Sequence, residues 1–447
     1  MTLRLLLVAL VVLMVRGSAD AQEVPLARLL SNFVTASAQL NPRPDINQDH
    51  SRDFVLGTTL NEVPRALNQT LGMQLPAFPL TSDWPGVSYT GGASGTPENR
   101  LALFGSSFVE RAATVGARRF AFGVSEQTAQ FKTIDGLDLR DGLNVFFEAT
   151  DSTNPNRLGD GQPAFERDVL QENIAFRLDR TVFNFVFGYG LTDRLDIGLV
   201  VPVVKVSFDG RITAHVNRTA TAANPEIHSF DLLELDHKTT YAVRDVHGVG
   251  DLGVRAKFRV TGSERGGLAV GVSLRMPTGD VEDFLGAGTA AVRGSVMWSG
   301  EHGKLGPHVN VSYERPFGTI DANFGTPPVK SPIDILAVGG TDVILHPRWG
   351  LSGDVMFRRL DGITAFRAED TVFKSRGPGP LPSADFIAKG NVVVAGRDVS
   401  ENQTYAIVGS KLLVGRQLIF HGDFVFPLQR NGLSAGVGAV AGFGLGF

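Results

Sequence analysis

The sequence predicts an all-β fold, an antiparallel transmembrane β-barrel of about 12 strands (range about 10–14) preceded by a mainly helical or irregular N-terminal segment. Three observations predict it. Long segments alternate apolar and polar residues with a period of two. Short and long connections between those segments alternate along the chain. Past the N-terminus, no stretch reaches the roughly 18 consecutive apolar residues of a helical span. A soluble β-sandwich is the competing all-β reading.

The first element is an export signal. "MTLRLLLVALVVLMVRGSADAQ" carries Arg4, an apolar run from Leu5 to Val15, and Ala19 and Ala21 in an A-x-A arrangement. The run is too short to span a bilayer comfortably. Residues 1–21 are therefore expected to be a signal peptide, which directs the chain to the cell outer membrane if it is a barrel. Residues 22–117 follow as an N-terminal extension or a plug. Leu26, Leu29, Leu30, Phe33 and Val34 have helical spacing, and "NEVPRALNQTLGMQL" is a second amphipathic piece.

The barrel is expected over 118–447. Its strands are placed near 118–132, 172–190, 195–216, 249–261, 267–277, 287–299, 305–315, 333–345, 350–361, 404–414, 418–428 and 433–447. Val254, Ala256, Phe258 and Val260 oppose Arg255, Lys257 and Arg259; Phe183, Phe185, Phe187 and Tyr189 oppose Asn184, Gly188 and Gly190. The stretches 133–171, 217–248, 278–286, 316–332 and 362–403 are expected to be long outer loops. Within 195–216 the apolar positions are odd up to Val203 and even from Val204. Pro202 sits at that slip, and proline belongs at an edge or a bulge, so a β-bulge is expected there. In the last strand, Phe443, Leu445 and Phe447 share an apolar face opposite a row of glycines. That face suits lipid, and a terminal phenylalanine on it is expected to be the signal read by the barrel-insertion machinery.

Charged residues on the lipid face near the bilayer midplane cost about 2–4 kcal/mol each, so the polar faces should line the lumen. This places Arg211, Arg255, Lys257, Arg259, Arg275, Arg293 and Arg358 on the expected substrate path, with Asp209, Glu314, Asp354 and Asp423 among them. Two readings stay open: a basic path that favours anions, or a barrel filled by an ion-pair network.

Other motifs point nowhere firm. "GVGDLG" (248–253) has the glycine spacing of a phosphate cradle, but a period-2 strand follows where a helix is required. "GLSAG" (432–436) has the nucleophile-elbow spacing, but Ser434 opens a strand; a Ser–His pair on a lipid-facing rim is the form a lipid hydrolase would take, yet His421, one strand earlier, faces the polar side with Asp423. "HSFDLLELDH" gathers His228, Asp231, Glu234, Asp236 and His237, a set that either holds a divalent cation or is a solvated loop. No catalytic residue, no metal and no cofactor is expected. The net charge of -4 gives no reason to expect nucleic acid, and the absence of cysteine excludes disulfides and thiol chemistry.

Four segments in order, "FVERAATVGARRFAFGVSEQTAQFKTIDG", "FGYGLTDRLDIGLVVPVV", "GVGDLGVRAKFRV" and "SLRMPTGDVEDFLGAG", resemble the outer-membrane transporter family named for the meta-pathway of phenol degradation. The resemblance covers roughly residues 100–447 and implies a barrel linked with uptake of aromatic or other apolar compounds. It supplies no binding residues to carry over. The function expected is an outer-membrane channel for small, apolar or aromatic molecules, with membrane lipid, the insertion machinery and those solutes as partners. A structural or surface-interaction barrel with a closed lumen, and an outer-membrane lipid hydrolase, are the alternatives.

Overall fold

The computed structural model describes residues 24–41, 51–55, 58–77, 107–149, 168–218, 228–231, 236–263, 266–320, 330–373, 385–415 and 417–446. The expected signal peptide, Glu234 and Phe447 lie outside them. The strands are β1 (Phe120–Ile134), β2 (Leu137–Asp138), β3 (Leu143–Glu148), β4 (Val169–Gly190), β5 (Leu195–Asn217), β6 (His237–Val249), β7 (Leu252–Ser263) and β8 (Gly266–Met276). They continue with β9 (Ala290–Ser299), β10 (Leu305–Phe317), β11 (Ile333–His346), β12 (Trp349–Phe373), β13 (Phe386–Val414), β14 (Leu418–Pro427), β15 (Leu433–Ala435) and β16 (Gly438–Gly446). Among the described residues two helices precede them, α1 (Leu26–Ala38) and α2 (Thr58–Gln74).

Twelve strands close a ring in the order β1–β4–β5–β7–β8–β9–β10–β11–β12–β13–β14–β16, and β16 pairs back onto β1. Every pairing is antiparallel, so the backbone is satisfied without an edge, which is what a bilayer demands of strands. Among the described residues, no helix is long and apolar enough to cross a membrane. The short turns between β4 and β5, β7 and β8, β9 and β10, β11 and β12, and β13 and β14 gather at one end, called here the lower end. In outer-membrane barrels the short turns are periplasmic.

Three expected loops contain strands. β6 lies in 217–248, β2 and β3 lie in 133–171, and the arms of β12 and β13 reach into 362–403. These strands rise above the membrane, where both faces can be polar and the alternation fades.

The phase slip in β5 is not a bulge in that strand. Its register against β4 is unbroken from Asp196 to Asn217, with Pro202 opposite Asn184. The even-numbered side chains point inward throughout. What changes at Pro202–Val204 is which face is apolar. Below it, Ile197 and Leu199 are exposed on the outside and Asp196 is buried inside; above it, Val204, Val206, Phe208 and Ile212 are buried inside, and Lys205, Asp209 and Arg211 are exposed outside. The irregularity sits across from Pro202. β6 pairs with β5 from His215 down to Val203, and β7 resumes at Val200 with Gly253, leaving one extra residue around Gly250–Asp251. Gly250 N–H donates to the Pro202 carbonyl at 2.9 Å, and a Cβ there would come within 2.9 Å of Val204. The glycines of "GVGDLG" therefore serve a strand bulge.

The same inversion recurs around the ring. On β12, Trp349, Leu351, Val355 and Phe357 are exposed outside Ser352, Asp354 and Arg358; one turn of the pleat higher, Leu360, Ile363 and Phe366 are buried inside and Arg367 is exposed. On β1, Phe120 gives way to Glu126, Thr128 and Lys132 on the outside, and Phe131 is buried inside. The apolar outside of the lower half is a lipid-facing belt, and it makes the chain an outer-membrane β-barrel. Phe443 and Leu445 lie on that belt, with Phe443 against Phe122 and Phe420 at ring separations of 6.5 and 6.4 Å. The glycines behind them face a crowded lumen: a Cβ on Gly442 would lie 2.4 Å from the Val124 carbonyl and 2.5 Å from His421 Nε2.

Candidate functional site

The upper half of the barrel holds α1 and α2. Leu26, Leu30, Phe33 and Val34 of α1 are buried in one apolar cluster with Phe176, Phe208, Ile212 and Val246 of β4, β5 and β6. Phe33 meets Phe208 edge-on at 6.5 Å, and Phe208 lies 5.6 Å from Phe176. Pro25 precedes α1 and offers no side-chain cap. The cap comes from the 277–289 connection instead, where Asp283 Oδ1 accepts from Leu26 N at 2.8 Å. A carboxylate at a helix N-terminus also meets the positive end of its dipole. Asn68 of α2 donates to the Ala27 carbonyl at 2.9 Å and to Ser31 Oγ at 2.8 Å, joining the helices. Ser37 donates to the Glu172 carboxylate of β4.

A polar latch joins segment 51–55 to the barrel top. His228 is buried and donates from Nδ1 to Asp168 at 3.0 Å and from Nε2 to Asp53 at 3.3 Å. Arg218 NH2 donates to the His228 carbonyl at 3.0 Å, with its NH1 4.0 Å from Asp168. Burial disfavours the imidazolium of His228, but the hydrogen bonds to Asp168 and Asp53 and the charges of both carboxylates outweigh it, and its pKa is raised. Within "HSFDLLELDH", His228 is fully buried, whereas the Asp236 side chain is half-exposed and His237 is exposed. Among the described residues, no group of side chains is arranged to hold a metal ion.

The lower end is crossed by residues 107–117. Ser107 Oγ donates to Asp423 Oδ2 at 2.5 Å and lies 2.7 Å from His421 Nδ1. Glu110 accepts from both terminal nitrogens of Arg255, and Arg111 pairs with Asp342. Ala112 N donates to Ser299 Oγ at 3.1 Å, and Val115 N to Asp196 Oδ2 at 2.9 Å. Lys257 donates to the Ala113 carbonyl at 2.7 Å. Strands β5, β7, β9, β11 and β14 thus all hold this one strap.

Between the two closures the inner wall carries a belt of alternating charge, contributed by the bulge and five successive strands. Arg275 NH1 meets Asp251 at 2.9 Å and its NH2 meets Glu314 at 2.9 Å. Glu314 also accepts from Arg293 Nε at 2.9 Å, and Arg293 NH2 lies 3.9 Å from Asp334. Asp334 accepts from Arg358 Nε at 3.1 Å and NH2 at 2.9 Å. Three arginines and three carboxylates close the belt electrically.

The residues expected on the path therefore fall into three groups. Arg275, Arg293 and Arg358 are in the belt. Arg255, Lys257 and Arg259 face inward but lie beneath the strap; Arg259 donates to the Asp193 carbonyl at 2.7 Å. Arg211 is on the outer face of β5, above the lipid-facing belt, where an exposed cation costs nothing; Asp209 is beside it on the same face. The belt is a network of ion pairs with equal numbers of cations and carboxylates, not a row of cations. Ser434 is buried, with its Oγ directed to the Ala435 carbonyl at 3.4 Å, so it is not on a lipid-facing rim; His421 Nδ1 is occupied by Ser107. Ser107 Oγ is held between His421 and Asp423 as part of the strap's anchorage.

Belt, strap and the segment Pro76–Ala77 that follows α2 bound a chamber of about 130 Å³. Val182, Val186, Val200, Pro202, Val204 and Leu285 form one side; Ser273, Arg275, Arg293, Glu314 and Asp334 form the other. Arg180 also lines it, a residue not singled out from the sequence. Its signal was legible: Arg180 continues the inward, even-numbered phase of Asn184 and Gly188.

No family model matches this chain, and no curated protein matches it. Solved structures similar to it include an outer-membrane channel from Pseudomonas putida F1, at 14% identity and TM-score 0.42, over 75% of this chain and 98% of the other. A FadL homologue from Pseudomonas aeruginosa aligns at 10% identity and TM-score 0.33, over 85% and 97%. The CymD monoaromatic hydrocarbon channel aligns at 10% identity and TM-score 0.29, over 81% and 94%.

Proposed function

We propose that this chain is an outer-membrane channel for the inward passage of small apolar or aromatic molecules. It is of the kind named for the meta-pathway of phenol degradation. Residues 1–21 are its export signal, residues 22–117 its plug, and the insertion machinery reads the C-terminal strand with Phe443, Leu445 and Phe447. The observation that carries the reading is the chamber, which one N-terminal segment closes twice, with helices from above and the strap from below. A barrel that served only as scaffold needs no space between two closures. The channel reading assigns no catalytic residue. Passage requires the strap and the helices to shift, since the lower half is filled by ion pairs and the upper half by apolar packing.

Liposome-swelling rates test this. Vesicles holding the intact chain should swell faster in single-ring aromatic solutes than in sugars of similar size. Equal rates for both, or no swelling above protein-free vesicles, would support the closed structural barrel instead.

A further inference from the structure

The belt leaves one chamber cation over. Arg180 is 5% exposed, and its guanidinium donates from NH1 to the Leu75 carbonyl at the end of α2. Its Nε has no hydrogen-bond partner among the described residues. A buried donor without an acceptor is costly, more so on a charged group, and one in a native interior calls for an explanation. The three belt arginines are each engaged by carboxylates at close range, whereas Arg180 feels the charge of Asp251 through space and keeps its Nε for an incoming anion. The opposite requirement, an apolar surface, is supplied by Val182, Val186, Val200, Pro202, Val204 and Leu285 on the neighbouring wall. At about 130 Å³ the chamber approaches the size of a cavity of ~150 Å³ that takes up benzene.

Resting on the channel reading above, we infer that the chamber is a binding station for a single-ring aromatic carboxylate, with the ring on the valine–proline wall and the carboxylate on Arg180. An arginine fork matches a carboxylate in geometry and charge, and the surrounding burial strengthens the pair. Selection by this station depends on one ionised oxygen pair attached to an apolar body. A neutral ring fits the space but leaves Arg180 unmatched, and a small inorganic anion meets Arg180 but leaves the apolar wall bare.

The test is calorimetric titration of the full chain in detergent with benzoate and with benzamide, its neutral isostere. The unaltered chain should bind benzoate at least roughly tenfold more tightly than benzamide, since truncated charge pairs lose that much or more. Arg180→Gln should lower benzoate affinity by about tenfold or more and bring the two ligands level. Val200→Trp, which fills the chamber, should abolish binding of both. Equal affinities in the unaltered chain, absence of benzoate binding, or benzoate binding that survives Val200→Trp would each overturn the station. The benzoate–benzamide comparison needs no variant, so a folding defect in Arg180→Gln does not shield the inference. Failure of the channel reading is seen separately, as benzoate bound in detergent without passage across vesicles.

Discussion

The two halves of this barrel are built from the same strands with opposite chemistry. In the lower half β4, β5 and β12 turn Phe185, Leu199 and Val355 to the outside and Asn184, Asp196 and Asp354 to the inside. In the upper half the same strands turn Arg177, Arg211 and Arg367 out and Phe176, Phe208 and Phe366 in. Strand geometry is constant across the boundary; the solvent is not. Lipid rewards an apolar exterior and leaves the interior to hydrogen bonds and ion pairs, whereas water rewards an ordinary soluble core. The upper half is thus a soluble β-structure whose core is completed by α1, and the lower half is a membrane barrel whose polar core is completed by the 107–117 strap.

If that division is right, truncating an inward aromatic should be most damaging above the boundary. Phe208→Ala removes the contact shared by Phe33 and Phe176 and should cost about 3–5 kcal/mol, seen in denaturant unfolding together with faster proteolysis of α1. An added outward charge should behave in the opposite sense. Val355→Arg, placed in the lipid-facing belt, should cost about 2–4 kcal/mol in lipid vesicles or block insertion. Thr213→Arg, on the outer face of the same barrel above the boundary, should stay within about 0.5 kcal/mol. Equal costs for the two arginines would erase the boundary.

A smaller effect separates the halves by pH. The raised pKa of His228 means that the folded state holds its proton above the ordinary imidazole value of 6.5. The stability from this latch is fully present below that value and is lost as pH rises through the elevated one. Hydrogen exchange in residues 51–55 should therefore quicken with rising pH over that window beyond its intrinsic base catalysis. His228→Asn should remove that excess; a profile equal in the variant and the unaltered chain would show that the latch does not titrate.

Much of this was legible in the sequence, and the failures share one cause. Period-two alternation identifies two faces, but it does not say which of them is inside. In β16 the apolar face meets lipid, and reading Phe443 and Leu445 as outward was correct. In β5 the apolar face is outside up to Val203 and inside from Val204, so a change of surroundings looked like a change of register. The lipid penalty then put Arg211 in the lumen, although that penalty does not operate above the membrane. Inward placement of Arg255, Lys257, Arg259, Arg275, Arg293 and Arg358 followed from the same argument where it does apply. Their partners could not be read, because Glu110, Asp251 and Asp334 come from remote segments that only the closed ring brings near. β6 and the upper arm of β13 were missed because strands in water can carry polar residues on both sides, as β6 does with His237 and Thr239 on one face and Lys238 and Thr240 on the other.

The central claim is that one N-terminal segment closes a channel that is otherwise open. Ion current in planar bilayers, recorded for the intact chain and for a form lacking residues 22–117, tests it most directly. The account predicts near silence from the intact chain and steady current from the shortened one, because both closures, the helices above and the strap below, belong to the deleted residues. Silence from a shortened form that still migrates as a folded, heat-modifiable barrel would contradict it, as would equal current from both.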